Sequence, residues 1–133
     1  MARFVVDCGV VLRLASGEIE VATEHKLLAP TLLRSQTLSG LHVAVHSGEL
    51  SADVARERLA RIRRLSIRLL GDAVLQRRAW DLAEQLGWAE TFDAEYVALT
   101  QLQADAFVTL DAELAGRVKG IVPTATIEAL RTA

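Results

Sequence analysis

Cysteine is nearly absent: Cys8 stands alone among 133 residues. A single thiol cannot close an intramolecular disulfide, so the disulfide-stapled secreted mini-proteins are excluded. Cys8 and three scattered histidines also fall short of a structural zinc site of the usual Cys/His spacing. Long apolar runs are missing too, and none approaches the roughly 20 residues a membrane helix needs. The first apolar stretch meets Asp7 before the hydrophobic region of a secretory leader could form. The expectation is a cytoplasmic protein with no membrane partner. A charge excess is lacking as well: fifteen Lys and Arg against seventeen Asp and Glu leave −2. The whole molecule is therefore not a polycation that grips nucleic acid without selectivity.

What is present suffices for a core. Hydrophobic residues make up 51% and charged residues 24%, which supports a packed domain and excludes wholesale disorder. There is no repeat, linker or low-complexity tract, so one domain is expected over residues 1–133. Thirteen of the fifteen basic residues are arginine. An arginine excess suits phosphate recognition, and it also suits a GC-rich coding sequence. One cluster stands out, Arg56, Arg58, Arg61, Arg63, Arg64 and Arg68, opposed within its span only by Glu57. Arg56, Arg61, Arg64 and Arg68 are candidate contacts to RNA or to a protein partner; the alternative is a solvated helix face.

The pattern along the chain is short apolar runs alternating with amphipathic stretches. Phe4-Val5-Val6 reads as a buried strand, followed by a helix or short connection at Val10–Leu12. Residues 16–26 read as a helix or helix and turn. Leu27–Ala29 is a second apolar run, stopped by Pro30. A helix is expected from Thr31 to Gly48, and another after Ser51, whose hydroxyl can cap it at Val54. Leu65–Leu70 reads as strand or loop. Asp72 caps a helix that Gly87 closes, and Ala94–Leu99 is helical. Ala106–Leu110 is the clearest strand, Ala112–Arg117 a short helix, Ile121–Pro123 a final edge strand, and residues 126–132 a terminal helix. The sum is an α/β sandwich with a mainly parallel sheet.

Two strands end in aspartate, at Asp7 and Asp111. In open α/β sheets ligands sit outside the carboxyl ends of the strands. Parallel central strands would bring these two acids to one edge, where Asp93 could join them. A carboxylate cluster repels itself unless a cation neutralises it, and oxygen-only ligation suits Mg²⁺ or Mn²⁺. Taken singly, Asp93 reads equally as a helix cap and Asp111 as a turn residue.

The block Thr91-Phe92-Asp93-Ala94-Glu95-Tyr96-Val97-Ala98-Leu99, followed by Phe107-Val108-Thr109-Leu110-Asp111, resembles the second half of a PIN domain. It is most similar to the toxin ribonucleases of VapBC toxin–antitoxin pairs. Phe4-Val5-Val6-Asp7 matches the family's opening strand and first acid, and Ala79–Gly87 has the look of its preceding helix. The resemblance implies a PIN-like three-layer α/β/α sandwich and a Mg²⁺- or Mn²⁺-dependent endoribonuclease acting as a toxin. It also implies a small VapB-like antitoxin, an RNA substrate and a homodimer. By this resemblance Asp7, Asp93 and Asp111 hold the metal, and the Thr109 hydroxyl positions the metal's shell. The family's glutamate six residues past the proline is Gln36 here, which brings no charge. A catalytically weakened module that binds antitoxin or RNA is therefore the alternative reading.

Other candidates carry less. Cys8 reads as a plain core residue, since no base can be assigned to activate it. His42 and His46 share a metal-capable spacing, but the first lies about 120° around the helix from Gln36, so both read as surface residues. A receiver-like signalling domain would need a phospho-acceptor at a middle strand end and a late lysine. Asp53 and Lys119 do not fit those places.

Overall fold

The computed structural model describes residues 1–132. The chain runs β1 (Arg3–Val6), α1 (Cys8–Ala15), β2 (Lys26–Pro30), α2 (Leu33–His46), α3 (Ala52–Arg64), β3 (Ile67–Leu70), α4 (Ala73–Leu86), α5 (Phe92–Gln103), β4 (Ala106–Val108), α6 (Ala112–Arg117) and β5 (Thr124–Ala125). A short 3-10 helix, Ile127–Leu130, follows. The strands form one sheet in the order β3-β2-β1-β4-β5, and every neighbouring pair is parallel.

That order has a direct consequence. From β1 the chain winds one way through β2 to β3, then crosses back to β4 on the other side of β1. Right-handed crossovers put helices reached in opposite directions on opposite faces. Accordingly α1, α2 and α3 pack on one another, while α4 packs on α5, which lies across β1, β2 and β4. The result is the three-layer α/β/α sandwich expected from the sequence. β1 is covered on both faces, which is why Phe4, Val5 and Val6 form an unbroken apolar run and are all buried.

Local chemistry fixes the element ends. Ser51 accepts from the Val54 N–H at 3.2 Å and Asp72 from the Leu75 N–H at 2.9 Å, as their positions before apolar-patterned stretches predict. Gly87 closes α4 with φ +71°, a left-handed backbone that costs glycine little. Val10–Leu12 lies within a helix, and Ile67–Leu70 is a strand.

Four expectations need correction. Residues 16–26 hold no helix: α1 stops at Ser16, Gly17 turns with φ +83°, and the segment then runs irregularly, its Ala22 N–H donating to Leu130 O. The strand expected at Ile121–Pro123 begins instead at Thr124. Ile121 and Val122 N–H both donate to Val118 O, and Pro123 has no N–H for the ladder, although its carbonyl accepts from Phe107. β4 ends at Val108 rather than Leu110, because Thr109 leaves the ladder for side-chain bonds described below. The terminal helix is only the 3-10 turn at Ile127–Leu130.

Phe107 of β4 is fully buried and Leu38 of α2 is 56% exposed. Phe107→Ala should lower the unfolding free energy by about 3–5 kcal/mol through lost burial and a cavity. Leu38→Ala should stay within about 0.5 kcal/mol. Urea unfolding of both variants checks the contrast.

Candidate active site

Asp7 directly follows β1, and Asp111 lies three residues beyond β4. These two strands are neighbours, and the sheet reverses its winding between them. The carboxyl ends of adjacent strands at such a reversal leave a crevice that no crossover covers. Both aspartates also cap helices. Asp7 Oδ1 accepts from the Val10 N–H at 3.1 Å, and Asp111 Oδ1 from the Leu114 N–H at 3.1 Å. Capping occupies one oxygen of each carboxylate, and at Asp111 it leaves the other free.

Thr109 ties the two together. Its hydroxyl donates to Asp7 Oδ2 at 2.5 Å and accepts from the Asp111 N–H at 3.1 Å. One hydroxyl has one proton to give, so the direction of this relay is fixed once Asp7 is ionised. Asp93 is the second residue of α5, where a negative charge suits the helix N-terminus. It caps nothing; its carboxylate lies 3.7 Å from the Arg117 guanidinium, which in turn stands 5.3 Å over the Trp88 ring.

The acids feel one another. Burial pushes Asp7 above the usual carboxylate range, against the lowering effect of its bonds to Thr109 and Val10, and the charges of Asp93 and Asp111 push it further. Burial likewise raises Asp93; Arg117 opposes this, while Asp111 and Glu90 add to it. Mutual repulsion within one all-oxygen set is the donor chemistry that suits a hard divalent cation. Among the described residues, however, no three His, Cys, Asp or Glu side chains stand together closely enough to hold an ion as they are placed. Thr109 donates to Asp7, and Arg117 pairs with Asp93.

Gln36 lies in the first turn of α2, and its Oε1 accepts from the Tyr96 hydroxyl at 2.5 Å. Tyr96 is almost fully buried. Burial first, then the charges of Cys8, Asp7, Glu95 and Asp93, drive its phenol far above the ordinary range, so it stays a donor. The amide oxygen that might have faced a cation is therefore already engaged. Cys8 is partly buried, and burial and the Asp7 charge raise its thiol, the opposite of an activated nucleophile. His42 and His46 are both exposed on α2.

None of the four candidate arginines makes a hydrogen bond or ion pair with an acid of this site, among the described residues. Arg56 pairs loosely with Asp53 at 3.9 Å. Arg61 donates to Ala15 O at 3.1 Å, capping the last turn of α1. Arg64 is exposed at the end of α3, and Arg68 is exposed on the edge strand β3.

The sequence reading missed Tyr96 and Arg117. Tyr96 lies three residues past Asp93, one helical turn away on the same face, and that spacing was available. Nothing in the spacing links Arg117 to Asp93, because they meet only through the packing of α6 near α5.

The raised carboxyl of Asp7 has a stability consequence. The unfolded chain releases this proton near 3.8, the native chain only above that, so between the two the native state binds more protons. Stability then falls as pH rises through that window, and at neutral pH the ionised Asp7 is a burden. Asp7→Asn keeps the cap and should raise the melting temperature at pH 7, with the gain fading as pH falls through the window above 3.8 and absent at pH 3. Thermal melts at both pH values check it.

No protein-family model matches the chain, and no curated protein matches it. Solved structures do. PAE2754 from Pyrobaculum aerophilum is 22% identical with a TM-score of 0.73, over 97% of this chain and 93% of that one. VapC20 of Mycobacterium tuberculosis, a sarcin-ricin loop cleaving toxin, is 13% identical with a TM-score of 0.57, over 85% of this chain and 93% of that one. The five-stranded parallel sheet and these likenesses agree: the chain has a PIN-like α/β/α fold and resembles the VapC toxins in architecture.

Proposed function

We propose that this protein is a toxin endoribonuclease of a type II toxin–antitoxin pair, hydrolysing RNA phosphodiester bonds with Mg²⁺ or Mn²⁺. What supports the reading is that Asp7 and Asp111 follow adjacent strands at the winding reversal of a PIN-like sheet, and that the charges of Asp7, Asp93 and Asp111 act on one another. These three carboxylates would hold the cation. The chemistry it supplies when bound is Lewis acidity toward a phosphate oxygen and a lowered pKa for water. Asp7 contributes a carboxylate fixed in place by Val10 and Thr109. Asp111 contributes the oxygen its cap leaves free. Arg117 balances Asp93 until the site is loaded.

A VapB-like antitoxin and an RNA substrate are the partners this reading requires, and the cytoplasm is its location. A homodimer fits the exposed Leu38 and Val43 on α2, at 56% and 62% exposure.

The hydrogen bond from Tyr96 to Gln36 favours a second reading, a PIN-fold module with feeble catalysis that binds antitoxin or RNA. Gln36 brings no charge, and its oxygen already accepts one hydrogen bond. Titration of Mn²⁺ into chelator-stripped protein, alongside cleavage of a structured RNA, separates the two. The ribonuclease reading expects one-site binding and metal-dependent cleavage, both lost in Asp111→Asn. RNA binding without either would leave the module. In the same titration Gln36→Glu should tighten Mn²⁺ binding by adding a charge.

Arg117 competes for Asp93 across an ion pair that is half exposed, so its cost to metal binding is modest. Arg117→Ala should strengthen Mn²⁺ binding by up to about fivefold, which is about 1 kcal/mol. An unchanged or weaker affinity would show that Arg117 does not restrain Asp93.

A further inference from the structure

Two arginines of the cluster, Arg61 and Arg64, line a hollow away from the acids. Arg3 pairs in register with Lys26, and Leu27 with Ile67, so the starts of β1, β2 and β3 line up at the end of the sheet opposite Asp7. Beneath that rim lies a hollow of about 620 Å³, within the range of small-molecule sites. Its floor is apolar, made by Leu14, Ile19, Leu27 and Leu65. Arg61 and Arg64 line it from α3. A smaller hollow of about 390 Å³ shares His25, Leu27, Leu65 and Ser66 with it, and is lined as well by Lys26 and Arg68.

The groups differ in freedom. Arg61 is held in place: its Nη1 donates to Ala15 O at 3.1 Å, and its other terminal nitrogen stands 3.8 Å from Glu57. A Cβ on Gly17 would fall 2.5 Å from that Nη1, so glycine is needed there for this approach as well as for its φ of +83°. Arg64 has no ion pair or hydrogen bond among the described residues and keeps a whole guanidinium fork for an anion. Thr23 and Ser66 add hydroxyls, and Glu20 adds a carboxylate acceptor on the same lining.

We infer that this hollow binds a nucleoside phosphate, with Arg64 on the phosphate and the apolar floor under the base. A bare inorganic anion would leave the floor unused and meet Glu20 unfavourably. A simple amphipathic anion would leave Glu20 and the hydroxyls without partners. A nucleoside phosphate satisfies all three: it has an anionic end, hydroxyl or amino donors for Glu20, and a flat ring for the floor. The same chemistry reaches the hollow as a free mononucleotide or as the phosphorylated end of an RNA chain. The hollow lies at the far end of the sheet from the acids, so its occupancy does not depend on their binding a metal.

The test is calorimetric titration of the full chain, without divalent metal, using AMP, inorganic phosphate and a short 5′-phosphorylated RNA. Arg64→Ala and Arg64→Lys are the variants. Arg64 is exposed, and melting curves of both variants check that they fold. The expected result is one-site AMP binding, weakened about tenfold or more in Arg64→Ala, with phosphate alone much weaker. Arg64→Lys should recover only part of the loss, because an ammonium lacks the fork. Binding of the phosphorylated RNA but not AMP, with the same dependence on Arg64, would support the site and assign it to a chain end. Three results would overturn the inference: no binding by either nucleotide probe, binding that Arg64→Ala leaves unchanged, or phosphate binding as tightly as AMP. Loss of metal-dependent cleavage elsewhere in the molecule would not alter any of these readouts.

Discussion

The reversal of winding at β1 governs this molecule. Five parallel strands can be joined only by crossovers, and right-handed crossovers leave no choice of face once the strand order is set. With β1 in the middle and β4 entered from the far side, two adjacent strands deliver their carboxyl ends to an uncovered crevice. Everything chemical at that end follows. The short turns into α1 and α6 place Asp7 and Asp111 there as caps, and Thr109 spans the gap between the strands. The first turn of α5 brings Asp93 alongside.

Stability and function pull against each other in this crevice. The core beneath it is apolar on both faces of the sheet, with Val5, Val6, Phe107 and Val108 fully buried. Above it, carboxylates are held partly out of water near one another, which costs free energy in the absence of a counter-charge. Two local devices offset part of that cost: the backbone N–H groups of Val10 and Leu114, which donate to the capping carboxylates, and the Arg117 guanidinium beside Asp93. The Trp88 ring under Arg117 ties this counter-charge to the end of α4. Carboxylates so placed gain from a ligand of opposite charge, and the proposed activity uses that gain.

Asp7, Asp93 and Asp111 lie toward one end of the sheet, and Lys26, Arg61, Arg64 and Arg68 toward the other, beside Glu20. Arg61 shows how a residue in a basic cluster can be structural: its head closes the C-terminus of α1 and fits against Gly17. Its neighbour Arg64, one turn on, is left free.

Much of the architecture was legible in the sequence because its signals are local. Apolar β-branched runs ending in Asp7 and Asp111, caps at Ser51 and Asp72, and Gly87 after an amphipathic stretch depend only on nearby backbone geometry and burial. The misreadings were local preferences that longer-range contacts overrode. Residues 16–26 have helical composition, yet Gly17 turns the chain and Ala22 bonds to Leu130, over a hundred residues away. The sequence by itself determined the alternation of elements and the parallel sheet, since periodicity and capping are encoded within a few residues. Only the tertiary structure decided that Tyr96 bonds Gln36, that Arg117 pairs with Asp93, and that Arg61 and Arg64 line a separate hollow. Those pairings join elements far apart in the chain, and their geometry exists only after the layers have packed.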